Sequence, residues 1–110
     1  MDLIAIEDFK KIELKVGTVT LAEEVVGSDK LIRLEINLGE EKPRQVLTGL
    51  KAWYTPADFM GKQVVIISNL QPRMVMGVES QGMLLAVDGS DGKPVLLQPT
   101  SEVEVGSVVR

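Results

Sequence analysis

The chain has 110 residues, of which 45% are hydrophobic and 25% are charged, a composition typical of a single globular domain. It contains neither cysteine nor histidine, which excludes disulfides, thiolate nucleophiles, Cys/His zinc sites and histidine-based catalytic triads. The net charge of −4 argues against non-specific binding to polyanions, since that affinity comes from cations that neutralise phosphates. The N-terminus has neither the basic start nor the apolar core of a signal peptide, and no apolar run could span a bilayer, so we expect a soluble cytoplasmic protein.

A short helical turn and a bent strand are predicted at the start of the chain. Residues 6–12 can form one turn of helix, and from Glu13 the apolar residues repeat with the period of two that is typical of a strand. The apolar parity flips across Gly17-Thr18, which predicts a β-bulge at the glycine. A first strand bent in this way suits a small sheet that coils into a barrel.

Two more strands and a short helix are predicted next. The second strand covers residues 30–38, in which four apolar residues face the core, namely Ile32, Leu34, Ile36 and Leu38. The third strand covers residues 44–50. After it, Thr55-Pro56 reads as a helix cap followed by the first helical residue, and Gly61 ends the helix.

The second half of the chain is again predicted to be β-structure. Residues 62–70 are apolar on both faces, which indicates a central strand, and residues 82–87 form another strand. A hairpin loop over residues 88–92 leads to a short strand at residues 95–97, and the valine-rich tail at residues 102–109 suits an edge strand. These patterns favour an all-β fold, a five-stranded OB-fold barrel with a short helix between strands three and four and extra C-terminal strands.

The stretch from Ser68 to Val87 carries the candidate binding residues. Two glycines, Gly77 and Gly82, lie between apolar runs and predict a sharp bend or a close approach of the backbone. A strand pair joined at this bend places four candidate ligand contacts near one end of a sheet, namely Asn69, Arg73, Ser80 and Met83.

Several segments, in order and at natural spacing, resemble the tRNA-binding domain family. They are Leu14–Val19, Ser28–Leu31, Leu38–Gly39, Arg44–Val46, Asn69–Pro72 and Gly77–Met83. The resemblance covers roughly residues 9–88, and the tail is similar to the C-terminal segment of the family's dimeric members. Such domains occur as stand-alone homodimers, as the C-terminal part of methionyl-tRNA synthetases and in synthetase-associated cofactors.

The resemblance implies an OB-fold that binds tRNA by shape and has no catalytic centre, metal or cofactor of its own. It implies one domain over residues 1–110, with a core at about 9–88 and a dimerisation extension at about 89–110. The expected partners are tRNA, a second copy of the chain and a methionyl-tRNA synthetase catalytic chain. The RNA-binding candidates that it implies are Lys30, Arg33, Arg44, Asn69, Arg73, Ser80 and Met83.

Each candidate also has a structural interpretation. Lys30 and Arg33 can be ordinary solvated charges, and Arg44 can pair with Glu40 or Glu41. Asn69 can cap a turn, Ser80 can be a small residue in a tight turn, and Met83 can fill the core.

Two other function classes remain open on the sequence. A protein-interaction or export-chaperone module on the same fold is the alternative to RNA binding. An enzyme is disfavoured, because the adjacent acids Glu23-Glu24 and Glu40-Glu41 have neither a base nor a nucleophile beside them.

The few aromatic residues indicate which kind of RNA such a domain would bind. All four cluster around the two predicted helices and away from the outer strands, and they are Phe9, Trp53, Tyr54 and Phe59. OB-folds that hold single strands stack bases on aromatic side chains. This arrangement therefore favours a folded RNA recognised by its shape.

Overall fold

The computed structural model describes residues 1–110 and contains ten short strands, one α-helix and one 3₁₀ helix. In chain order the elements are α1 (Ile6–Lys10), β1 (Leu14–Glu24), β2 (Ile32–Asn37), β3 (Arg44–Thr48), the 3₁₀ helix (Pro56–Asp58), β4 (Gln63–Ile67), β5 (Arg73–Val75), β6 (Val78–Ser80), β7 (Met83–Leu84), β8 (Ala86–Asp88), β9 (Pro94–Leu96) and β10 (Val108–Val109). The structure contains no helix with the length and apolar character needed to cross a membrane.

The strands β3, β2, β1, β4 and β7 lie side by side in that order, and every pair is antiparallel. The first half of β1 pairs with β4 and its second half pairs with β2, so β1 bends across the sheet. Two separate hairpins, β5–β6 and β8–β9, and the terminal strand β10 are added to this sheet. This architecture confirms the predicted all-β OB-fold barrel with extra C-terminal strands.

The core lies inside the barrel and comes from residues that the sequence pattern had assigned to it. The four alternating residues of the second strand, Ile32, Leu34, Ile36 and Leu38, are all buried, together with Val46 of β3. Phe59 follows the 3₁₀ helix and is fully buried. That helix begins with the predicted cap, because the Thr55 backbone N–H and hydroxyl both donate to the Asp58 carboxylate, at 2.8 and 3.2 Å.

The bulge in β1 lies three residues beyond the predicted position. Val19 pairs with Ile36 and Leu21 pairs with Glu35, so Thr20 is the extra residue. Gly17 has a different role, since a Cβ added there would lie 2.5 Å from the Ile36 side chain. The change in the apolar pattern at Gly17 therefore reflects a close approach of the backbone to the core. The prediction of a bulge at that glycine was wrong.

Side chains from the end of β6 and from the residue that follows it help to close the barrel at the free edge of β3. The Leu47 backbone N–H donates to the Ser80 hydroxyl at 3.1 Å, and the Gln45 N–H donates to the Gln81 side chain at 2.9 Å. The Gln81 N–H donates back to the Gln45 carbonyl at 2.7 Å. Unpaired backbone groups of a strand edge are thus satisfied without another full strand.

Two predicted C-terminal strands differ from the structure. The strand expected at residues 82–87 is split into β7 and β8, because β8 leaves the barrel to pair with β9. In the tail, only Val108 and Val109 form strand pairs, and they align with Lys15 and Leu14 of β1.

The β5–β6 hairpin turns through two residues with positive φ, Met76 at 50° and Gly77 at 78°. Such two-residue turns favour asparagine followed by glycine, because a larger side chain is strained in this region. We expect Met76→Asn to raise the free energy of unfolding by about 1 kcal/mol, measured by urea denaturation. The matched change Met74→Asn, in the exposed strand beside it, should give no such gain. An equal effect of the two substitutions would contradict the account.

Candidate nucleic-acid interface

Arg33 lies on the outer face of β2 and already forms hydrogen bonds and ion pairs with other side chains of the protein. Its guanidinium donates to Glu23 at 2.7 Å and to the Gln45 side chain at 2.8 Å, and it lies 3.0 Å from Glu35. The hydrogen bond to Glu23 is the main reason why the pKa of Arg33 is raised. Two carboxylates therefore compensate this charge, and the centre of the β2 face offers little free positive potential.

Arg44, at the start of β3, braces the barrel. Its guanidinium forms a two-pronged pair with the Glu40 carboxylate, with both contacts at 2.9 Å. It also donates to the carbonyls of Ser68 and Gln81, at 2.6 and 3.0 Å. These bonds tie β3 to the segments that follow β4 and β6, and the pair with Glu40 is the contact that the structural interpretation of Arg44 expected.

Asn69 clamps the segment between α1 and β1. Its side-chain oxygen accepts from the Glu13 backbone N–H at 2.8 Å, and its nitrogen donates to the Lys11 carbonyl at 2.7 Å. The neighbouring Ser68 hydroxyl donates to the Glu13 carboxylate at 2.6 Å, which is the main reason why the pKa of Glu13 is lowered. Both side chains thus fix the position of the residues that lead from α1 into β1.

Ser80 is 1% exposed, and both functions of its hydroxyl are used inside the protein. The oxygen accepts from the Leu47 N–H, and the hydroxyl donates to the Gly82 carbonyl at 3.1 Å. The expectation that Ser80 contacts RNA therefore has no support in this geometry, because the hydroxyl neither faces solvent nor lacks partners.

Three cations lie in segments beside the end of β3, whose last residue is Thr48, and we call Lys30, Lys51 and Arg73 the basic end. The Lys51 backbone N–H donates to the Lys30 carbonyl at 3.1 Å, which brings two of them together. Arg73 begins β5 and lines a pocket together with Thr48. Lys30 and Arg73 are exposed, and neither takes part in an ion pair.

Lys51 was missed by sequence reasoning. Its ammonium donates to the Ser28 carbonyl at 3.0 Å and lies 3.6 Å from Glu24, so it is partly compensated. A single lysine in a turn after a strand has no periodicity to mark it. Lys51 belongs to the basic end only because the folded chain brings its backbone next to that of Lys30.

Met83 is 40% exposed and lines the same pocket as Arg73. Two more methionines of the adjacent hairpin, Met74 and Met76, are also exposed. The sequence-predicted residues therefore separate into two groups. Lys30, Arg73 and Met83 lie in segments beside the end of β3, and Arg33 is the cross-strand partner of Leu47 there. Arg44, Asn69 and Ser80 hold the fold together.

Comparison with known proteins agrees with this architecture. The family model described as "Putative tRNA binding domain" matches residues 14–108. A methionine–tRNA ligase from Methanosarcina mazei is 44% identical over 110 residues, which is 100% of this chain and 15% of that ligase. The chain therefore spans only about 15% of the length of that relative.

Two solved structures of similar size have the same fold. A MetRS-related protein from Pyrococcus horikoshii has 37% sequence identity and a TM-score of 0.93, with 100% of both chains covered. The chaperone CsaA from Bacillus anthracis has 36% identity and a TM-score of 0.88, with 99% of this chain and 100% of that chain covered. The family match over almost the whole barrel confirms the resemblance seen in the sequence, and the chain belongs to the tRNA-binding domain family.

Proposed function

We propose that this domain binds folded tRNA through its basic end and recognises the shape of the RNA backbone. The observation that carries this proposal is the position of Lys30 and Arg73, two exposed cations without ion pairs that lie at one end of an otherwise acidic chain. Lysine and arginine bind phosphate oxygens, and arginine can do so with two parallel hydrogen bonds. Arg33, Lys51 and Met83 border these cations and complete the proposed contact surface.

The placement of the aromatic residues supports recognition of shape. Phe59 is buried, and the Tyr54 hydroxyl donates to the Pro94 carbonyl at 2.6 Å, so neither ring is free to stack on bases. Trp53 is exposed, but it lies in the turn after β3 and not on the sheet face. A row of stacking rings, which single-strand binders use, is therefore not supplied by this barrel.

The proposal also names the protein that the domain serves. The relatives named methionine–tRNA ligases are far longer than this chain, whereas the MetRS-related structure has the same length. The domain supplies tRNA affinity to a methionyl-tRNA synthetase catalytic chain, either as its appendix or as a free-standing protein, without a cofactor and in the cytoplasm.

Fluorescence anisotropy with labelled tRNA tests shape recognition. We expect saturable binding that weakens as salt rises, because phosphate contacts release counterions. A poly(U) strand of the same length is the matched control, and it should bind at least about tenfold more weakly if base stacking contributes little. Equal affinity for tRNA and poly(U) would contradict recognition by shape.

The proposal also includes a homodimer. It forms through the C-terminal extension at about residues 89–110 and through β8, which pairs with β9 of that extension. Val87 and Val95 are cross-strand neighbours in the β8–β9 hairpin, and both are 49% exposed. Beside them lies an apolar hollow of about 280 Å³ whose lining includes Leu14, Leu97 and Val109. Exposed apolar surface of this kind marks interaction sites, and two copies would present two basic ends to one tRNA.

Light scattering at micromolar concentration tests the dimer. We expect twice the mass of one chain for the wild type and the mass of one chain for Val95→Glu, because a buried unpaired carboxylate is costly. The matched change Val26→Glu, at an exposed valine in the β1–β2 turn, should leave the dimer intact. A monomeric wild type would refute this part of the proposal.

A further inference from the structure

The turn that follows β3 carries the only tryptophan of the chain, Trp53, which is 46% exposed. Its neighbours in the turn differ from it, since Leu50 and Tyr54 pack against the hydrophobic core. The one aromatic pair in the structure joins Tyr54 to Phe59, so the Trp53 ring stacks on no other ring of the protein. The turn therefore leaves a large aromatic ring available for contact at the surface.

Hydrogen bonds hold this turn in one conformation. The backbone N–H groups of Trp53 and Tyr54 both donate to the Leu50 carbonyl, each at 3.0 Å. The Tyr54 hydroxyl donates to the Pro94 carbonyl at 2.6 Å, and the Lys51 ammonium donates to the Ser28 carbonyl at 3.0 Å. A ring that is presented by a fixed turn loses little conformational freedom when it binds, and this favours affinity.

Cations lie on both sides of Trp53 along the chain. Lys51 comes two residues earlier, so its Cα lies within about 7 Å of the Trp53 Cα. A backbone hydrogen bond also joins Lys51 to Lys30 of the basic end. On the other side, the Lys93 ammonium lies 5.2 Å from the centre of the Tyr54 ring, and Lys93 is exposed and takes part in no ion pair. Trp53 therefore adjoins the basic end and has a further free cation beyond it.

An exposed ring next to cations suits a nucleotide, which combines a flat base with a charged phosphate. Stacking on an aromatic side chain satisfies the base, and lysine ammonium groups attract the phosphates. Tryptophan is also common at protein interfaces, so a partner protein is the competing occupant. RNA is favoured because Lys30, Lys51 and Lys93 all find complementary charge along a phosphate backbone.

We propose that Trp53 stacks on one exposed nucleobase of the tRNA bound at the basic end, while Lys51 and Lys93 attract the flanking phosphates. This inference rests on the proposed function, since it adds a contact to the same RNA interface. Every base has an aromatic face, so the contact selects no sequence and requires only a base that the RNA fold leaves unstacked. A single ring is far from the row of rings that single-strand binders use, and recognition still depends on the shape of the RNA.

Substituting the ring measures its share of the affinity. We expect Trp53→Ala to bind tRNA at least about fivefold more weakly, the lower value for the loss of one base–aromatic stack. Trp53→Phe keeps an aromatic face and should stay within about threefold of the wild type. The slope of log affinity against log salt should be the same in both variants as in the wild type, because stacking releases no phosphate counterions.

The matched control is Leu70→Ala, which truncates a 43% exposed apolar residue after β4 and should leave the affinity unchanged. The midpoint of thermal unfolding should change little in Trp53→Ala, because this ring is not part of the core. Wild-type affinity in Trp53→Ala would overturn the inference, and so would an equal loss in Leu70→Ala.

The emission of the single tryptophan reports on the same contact directly, because no other residue contributes tryptophan fluorescence. We expect tRNA to quench this emission saturably, with the midpoint of the anisotropy titration, and to shield the ring from acrylamide. Unchanged emission and acrylamide quenching, at tRNA concentrations that saturate the anisotropy signal, would overturn the inference and leave the proposed function intact. If the anisotropy titration shows no tRNA binding even at low salt, the proposed function fails and the inference fails with it.

A protein contact at Trp53 would give a different result. The emission would then shift when the protein alone is concentrated and would not respond to tRNA. That outcome would place Trp53 between copies of the chain and would overturn the inference.

Discussion

Reversing two exposed charges of the basic end, with Lys30→Glu combined with Arg73→Glu, is expected to weaken tRNA binding about 100-fold near physiological salt. Each residue is assigned one phosphate contact, and a charge-assisted hydrogen bond contributes roughly tenfold in affinity. The slope of log affinity against log salt should also become shallower by about 2, since about two fewer counterions are released. Anisotropy titrations with tRNA at several salt concentrations measure both quantities.

A matched double variant separates position from net charge. Lys10 and Lys62 are also exposed and form no ion pair, but they lie on α1 and before β4. Lys10→Glu combined with Lys62→Glu changes the net charge by the same amount and should weaken binding far less. An equal loss in both double variants would show that only the total charge matters, and the basic end would lose its role.

Ser80→Ala is expected to lower the free energy of unfolding by about 1–3 kcal/mol. The substitution leaves the buried Leu47 N–H without its acceptor and removes the bond to the Gly82 carbonyl. The first bond holds the end of β6 against the edge of β3 and the second fixes the turn that follows, so the loss falls on the closure of the barrel. Urea denaturation of wild type and variant measures the difference.

Ser90→Ala is the control for this substitution, because Ser90 is exposed in the β8–β9 loop, and it should change stability by less than about 0.5 kcal/mol. The folded Ser80→Ala variant should retain tRNA binding. Unchanged stability together with lost tRNA affinity would contradict this account and would return Ser80 to the contact surface.

The strands and the helix cap could be predicted because their signals are local. The period-two pattern from Ile32 to Leu38 needs only one buried face, and the Thr55-Pro56 start needs only the backbone groups of the first turn. The position of the bulge could not be predicted from the local sequence. It depends on how β1 aligns with β2, and Thr20 carries no side-chain signal for that register.

The candidate site was harder to predict, because the partners of a charge are set by tertiary structure. Arg33 is compensated by Glu23, which comes from a neighbouring strand ten residues earlier in the chain. The role of Ser80 depends on a contact with Leu47, 33 residues away. The family motif singles out the stretch that contains Ser80 and Gly82, but the motif alone does not separate residues that close the barrel from residues that face solvent.

The methionines offer the most direct test of where tRNA binds. The chain has five of them, and Met83 lines the pocket at the basic end, whereas Met60 lies after the 3₁₀ helix. With methyl-labelled methionine, adding tRNA should shift or broaden the NMR signal of Met83 and leave that of Met60 unchanged. A shift of Met60 with no change at Met83 would place the RNA elsewhere on the barrel and would contradict the central claim.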